Sequence, residues 1–254
     1  MSEGRFRLGQ LAIDPLTQQE ALDAIARLVA ARTGGMVFTP NVDHVILAQD
    51  DARFRSAYAE ASLSLVDGFP VLVASRLLGH RVPEKVSGSD LLLPLAERAA
   101  RDGWSVYLVG GGPGVADQAA RLLTSLHPGL VVRGVDASAI DMDGPAQVRA
   151  AVVRRARQAN AELVLVALGS PKGELWAAEA RASLAPAILV AIGAGLDFLV
   201  GTQKRAPRVL SEIGLEWLFR LCREPRRLWR RYLVRGPRFV PIVIRSARRA
   251  APKP

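Results

Sequence analysis

The feature that most constrains this chain is a regular exchange of two periodicities. Continuous apolar runs of four to six residues are spaced by segments whose apolar residues recur at helical intervals. The runs are Met36 to Thr39, Leu63 to Val66, Trp104 to Val109, Leu130 to Val135, Leu163 to Leu168 and Ala187 to Ile192. Helical spacing marks Pro70 to Leu78, Leu91 to Arg101, Val115 to Leu126, Pro145 to Ala159 and Pro171 to Leu184. Strands apolar on both faces belong to a parallel sheet covered by helices on both sides. The expected fold class is therefore α/β, a Rossmann-like parallel sheet sandwiched by helices.

Local signals agree with that frame. Thr17-Gln18-Gln19-Glu20 reads as a capping box opening a helix that runs towards Gly34-Gly35, and a further helix is expected after Asn41. From Gly214 the pattern changes. Leu215, Leu218, Phe219 and Cys222 form one helical stripe among repeated arginines, and Pro225 should break or kink that helix at its preceding residue. Phe239 to Ile244 is apolar but short, suited to a headgroup layer rather than a span. The Ala/Arg/Pro end after Ser246 reads as disordered.

Charge divides the chain in two. Residues 1–200 carry 19 Lys+Arg against 21 Asp+Glu, whereas residues 201–254 carry 15 against 3. The reading is a catalytic α/β domain over 1–200 and a basic helical appendage over 201–254 that meets an anionic partner. The single Cys222 forms no intramolecular bridge, and MSEGRFRLGQ lacks the apolar core of a signal peptide. A reducing, cytoplasmic setting is expected, and no apolar run approaches the roughly 18 residues of a membrane span.

In an open α/β sheet, ligands bind beyond the carboxyl ends of the strands. Thr39, Asn41, Asp67, Gly110 to Gly114, Gly169 to Glu174 and Gly193 to Asp197 all follow expected strands. Asp67, closing a strand before Gly68, suits a general base or a turn aspartate. The amides of Gly110, Gly111, Gly112 and Gly114 suit a phosphate cradle or a tight turn. Val115 breaks the GxGxxG spacing, although Asp136 still offers a ribose-binding acid. Asp141-Met142-Asp143 has metal-binding DxD spacing but reads better as a solvated turn, and His44, His80 and His127 read as surface or capping residues.

Ordered along the chain stand Thr39-Pro40-Asn41, Leu65-Val66-Asp67-Gly68, Val86-Ser87-Gly88-Ser89-Asp90 and Leu108 to Gly114. Leu168-Gly169-Ser170-Pro171-Lys172, Gly193 to Phe198, Lys204 to Pro207, Gly214 to Leu221 and Glu224-Pro225-Arg226-Arg227 follow. Together they resemble the WecG/TagA/CpsF family of bacterial glycosyltransferases, over about Thr39 to Tyr232. That resemblance implies inverting transfer, without a metal cofactor, of N-acetylmannosamine or a uronic-acid sugar from a UDP-sugar. The implied acceptor is a polyprenyl-diphosphate-linked sugar at the cytoplasmic face of the membrane, in cell-surface or exopolysaccharide synthesis. The implied base is Asp67, with Thr39 and Asn41 in the donor site. Arg220, Arg223, Arg226, Arg227 and Arg230 are the implied arginines that complete the site and meet the anionic membrane. Pro171 and Glu174 fall in the substrate-side motif, where Gly173 replaces the family's usual Gln, and Asp136-Ala137-Ser138-Ala139 replaces a Gly-Tyr-Phe stretch. A homo-oligomer is compatible with the resemblance, and no nucleic-acid partner is implied. The residues alone keep two rivals open: a dinucleotide-dependent oxidoreductase using Gly110 to Gly114 and Asp136, and a non-catalytic membrane- or nucleic-acid-binding protein using the basic tail.

Overall fold

The computed structural model describes residues 4–207, 210 and 214–250, the side chains of Arg227 and Ala250 excepted. A small antiparallel hairpin, β1 (Phe6–Leu8) and β2 (Leu11–Ile13), precedes the main sheet. That sheet holds β3 (Gly35–Phe38), β4 (Leu63–Ser64), β5 (Ser105–Gly110), β6 (Val131–Asp136), β7 (Leu163–Ala167) and β8 (Ile188–Ala191). Its order is β4-β3-β8-β7-β5-β6, and all pairings are parallel. Strands β5, β7 and β8 are buried at every position, as their unbroken apolar sequences require.

The helices form two layers. The hairpin packs with α2 (Val42–Asp50), α3 (Ala52–Ala59), α4 (Phe69–Leu77), α7 (Ala146–Ala159) and α8 (Lys172–Leu184) on one face. The other face carries α1 (Gln18–Ala31), α5 (Gly88–Asp102), α6 (Val115–Leu126) and α9 (Gly195–Val200). The capping box at α1 forms: Glu20 N donates to Thr17 Oγ1 at 3.1 Å and Thr17 N donates to Glu20 Oε2 at 2.8 Å. Strands β3 and β7 lead into helices on one face, while β5 and β8 lead into helices on the other. Neighbouring strands therefore send their connections apart at β3/β8, β8/β7 and β7/β5, which opens crevices at their carboxyl ends.

The C-terminal segment comprises α10 (Glu216–Arg223), α11 (Pro225–Trp229), a π-helical turn over Arg230–Arg235, a 3₁₀ turn over Gly236–Arg238 and α12 (Phe239–Ala250). Pro225 separates α10 from α11 as expected. The Phe239 to Ile244 segment differs from expectation. It opens α12, burying Phe239 and Ile242 in the core while Val240 and Ile244 stay exposed. Ser246 to Ala250 continue that helix instead of being disordered, residues 251–254 lie outside the described residues, and Ser246 Oγ accepts the Gly9 amide of the hairpin at 2.9 Å. The basic segment is also fastened by charge. Arg231 and Arg235 reach Asp43 at 3.3 and 3.8 Å, and Arg238 reaches Asp50 at 2.8 Å. These internal partners for tail cations lie on α2, which sequence reasoning had not connected to the tail.

Candidate active site

A cleft of about 890 Å³ lies over the carboxyl ends of β3, β5, β7 and β8. Its floor includes Thr39, Asp67, Gly110 to Gly112 and Glu174, and its far wall is supplied by Arg220, Arg230, Arg231 and Arg235. Gly88 and Ser89 present the first turn of α5, and Lys172 that of α8. Helix N-termini and arginines around one hollow favour a polyanionic ligand.

A second hollow of about 330 Å³ adjoins the first beneath the C-terminal helices. Phe69, Trp217, Tyr232 and Phe239 make it the more apolar of the two. Asn41, Asp67, Lys85, Glu216, Arg220 and Arg231 line both. Asp67 thus stands in a wall shared by a polar cleft and an aromatic cavity.

The chain brings Asp67 there by simple means. Its amide donates to Pro40 O at 3.1 Å, tying the end of the β4 segment to the tip of β3. Gly68 then turns the chain with φ 86° into α4. The carboxyl keeps an opening to the cleft, but the protein around it removes most of its water. Burial pushes its pKa up to about 6, Glu216 and Asp90 add to the rise, and Arg220 and Lys85 oppose it. A carboxylate so tuned is an effective proton acceptor near neutrality.

Thr39 and Asn41 both line the cleft and also hold its frame. Thr39 Oγ1 accepts the Gly88 amide at 3.1 Å, which anchors α5 and leaves the Thr39 hydroxyl proton to donate. Asn41 Oδ1 caps α2 by accepting the Asp43 and His44 amides at 3.0 and 3.4 Å. Deeper in the wall, His44 is 5% exposed and Glu174 is 4% exposed. His44 is therefore a buried residue, not the surface or capping histidine expected. Its Nδ1 lies 2.8 Å from Tyr58 Oη and its Nε2 3.9 Å from Glu174. Burial, with help from Arg231, pushes the His44 pKa down to about 3. Burial also lifts Glu174 to about 7, against its own backbone amide, the Ser170 hydroxyl and Arg231. His44 is thus neutral at pH 7, and the contact is not an ion pair.

The remaining expected residues are distributed unevenly. Gly110, Gly111 and Gly112 line the cleft, but the Gly111 amide is already bonded to Ala167 O at 3.1 Å. Gly110 has φ 96°, and a Cβ there would sit 2.5 Å from Ala167 O, so the sheet itself demands glycine. Gly114 caps α6 with φ 75° and lies outside the cleft. Pro171 stands between the cleft-lining Ser170 and Lys172. Arg220 and Arg230 face the cleft, whereas Arg223 covers the Phe219 ring beside a separate pocket. Arg226 is exposed and outside both hollows, and the Arg227 side chain lies outside the described residues. Sequence reasoning missed Lys85, Arg205, Arg231, Arg235 and Glu216. Of these, Arg231 and Arg235 shared the arginine repeat that drew attention to their neighbours, but no spacing rule separated inward from outward cations.

Two readings lose their footing. Asp136 is engaged by Arg155 at 2.7 Å and accepts the Ser138 amide at 3.0 Å, and it does not line the cleft. The dinucleotide alternative therefore lacks its ribose acid. Asp143 pairs with exposed Arg53 at 3.3 Å and accompanies Asp141 in a surface turn.

A family model described as glycosyl transferase, WecG/TagA/CpsF family, matches residues 6–253. The chain belongs to the WecG/TagA/CpsF family. It is accordingly a glycosyltransferase of cell-surface polysaccharide synthesis. The family match spans both the sheet and the C-terminal helices that close the cleft. For a glycosyltransferase whose Asp67 accepts a proton, kcat/KM should rise with pH through an ionisation near 6 and level off above it. A pH–rate profile that is flat from pH 5 to 8 would remove Asp67 from that role.

Proposed function

We propose that this glycosyltransferase moves a sugar, of the N-acetylmannosamine or uronic-acid type, from a UDP-sugar to a polyprenyl-diphosphate-linked sugar with inversion at the anomeric carbon. The observation that carries the reading is the position of Asp67 in the wall common to the polar cleft and the aromatic cavity. The donor occupies the cleft and the acceptor sugar the cavity. Asp67 takes the proton of the acceptor hydroxyl as its oxygen attacks the anomeric carbon. The bond from that carbon to the UDP oxygen breaks on the opposite side, and UDP leaves with the bonding pair. The first turns of α5 and α8 and the arginines Arg220, Arg230 and Arg231 meet the charge that develops on the diphosphate, with no metal cofactor assigned.

The reading places the enzyme peripherally on the inner membrane face. Among the described residues no helix is long and apolar enough to cross a membrane. Trp217, Leu218, Trp229, Leu233 and Val234 are exposed among the arginines of the C-terminal helices, a composition suited to an anionic lipid surface. The test is a panel of UDP-sugars offered with a short-chain prenyl-diphosphate sugar, with and without EDTA. One UDP-sugar should yield product of inverted anomeric configuration at a rate unaffected by EDTA. Transfer from a different nucleotide-sugar alone, or only with an added metal ion, would overturn the proposal.

A further inference from the structure

The neck between the two hollows contains a carboxylate that the transfer chemistry does not use. Glu216 opens the first turn of α10, where its Oε2 lies 3.9 Å from Lys85 Nζ and its Oε1 meets the Arg220 guanidinium. Lys85 comes from the loop before α5, so the contact joins the C-terminal helix to the body rather than merely linking two turns of α10. All three side chains are about a third exposed, and all three line both hollows beside Asp67.

Two cations meeting in a polar cleft are what a diphosphate needs, yet here a carboxylate engages both. A bound diphosphate would already share the neck with Asp67, so a second carboxylate left in place would oppose it. Glu216 lines both hollows on a side chain with three rotatable bonds, so the exchange asks for a side-chain rotation rather than movement of the helix. We propose that Glu216 is a positioning residue whose carboxylate holds Lys85 and Arg220 until the diphosphate binds and is then exchanged for substrate phosphate. Glu216 thereby keeps two long cationic side chains ordered at the neck, at a cost in substrate affinity that removal of its charge recovers.

The inference rests on the transferase reading only in taking UDP as the ligand. The experiment measures UDP and inorganic pyrophosphate binding to the full chain by calorimetry, for the unaltered protein, Glu216→Gln and Glu216→Ala. Both variants should bind UDP about 2- to 10-fold more tightly, the range expected when one or two part-exposed ion pairs no longer compete. Adding Lys85→Gln to Glu216→Gln should abolish most of that gain. The acid limb of kcat/KM should also move to lower pH in Glu216→Gln. Asp67 then faces Asp90, Arg220, Lys85 and Tyr58 without the like charge that raises it most. A merely structural role for Glu216 predicts weaker binding. Unchanged or weaker UDP binding in both variants overturns the exchange while leaving the transferase reading standing. Tighter pyrophosphate binding by the variants, with no UDP binding by any form, supports the exchange and overturns the nucleotide-sugar reading instead.

Discussion

Asp67→Asn is expected to lower the rate of sugar transfer by about 10²- to 10⁴-fold, the usual contribution of a positioned general base. It should leave UDP-sugar binding within a few-fold of normal, because the amide keeps the shape of the carboxyl. The same change should make the folded protein more stable at pH 8. In the fold, burial raises the Asp67 pKa from 3.8 to about 6. Between those values the native state holds a proton that the unfolded chain has released, so stability falls as pH rises through that window. Above pH 6 the full penalty is present, about 1–3 kcal/mol once the opening to the cleft is allowed for. A neutral amide escapes it. Thermal unfolding of the two proteins should therefore diverge at pH 8 and converge below pH 4. A destabilised Asp67→Asn at pH 8 would mean that the carboxylate is a structural anchor.

The second large effect concerns how the C-terminal helices reach the site. Gly214, just before α10, has φ 79°, and a Cβ there would collide with the Phe69 ring. Phe69 begins α4, two residues beyond Asp67. Gly214→Ala therefore combines backbone strain of about 1–2 kcal/mol with a collision that pushes α10 away from the body. Glu216 and Arg220 move with it. Transfer should fall on the order of 10²-fold, as it does when a catalytic arrangement is displaced by about 1 Å. The sheet does not involve this contact, and of the two helical layers only the first residue of α4 does, so circular dichroism should be unchanged. Full activity in Gly214→Ala would show that α10 need not dock beside Asp67 for transfer.

Much of the architecture was legible because burial on both faces leaves a plain mark in sequence. Strands β5, β7 and β8 are unbroken apolar runs, and the capping box at Thr17 fixes the start of α1. The hairpin escaped notice because each strand has three residues, too few to establish a period. Helix α3 was hidden for a related reason. It is eight residues long, and Asp51 both ends α2 and caps α3 by accepting the Phe54 amide at 3.1 Å.

The site divided in the same way. Asp67 could be placed because a polar residue closing an apolar strand falls at a sheet's carboxyl edge. Lys85 lies in a loop with no periodicity, and its approach to Glu216 spans 131 positions of sequence. His44 appeared to be a lone polar residue, because Tyr58 and Glu174 join it only through the packing of α2, α3 and α8. Among the arginines, the direction each one faces is set by the break at Pro225 and the π-helical turn that follows, which shifts the angular spacing of Arg230 to Arg235.

The most direct test of the two-hollow account is a crystal structure of the Asp67→Asn enzyme with a UDP-sugar and a short-chain prenyl-diphosphate sugar both bound. The account predicts the diphosphate of the nucleotide in the large cleft near the first turn of α5. It also predicts an acceptor hydroxyl in the aromatic cavity, about 3 Å from the side chain at position 67. A nucleotide seated outside that cleft, or an acceptor with no hydroxyl within hydrogen-bond reach of position 67, would contradict it.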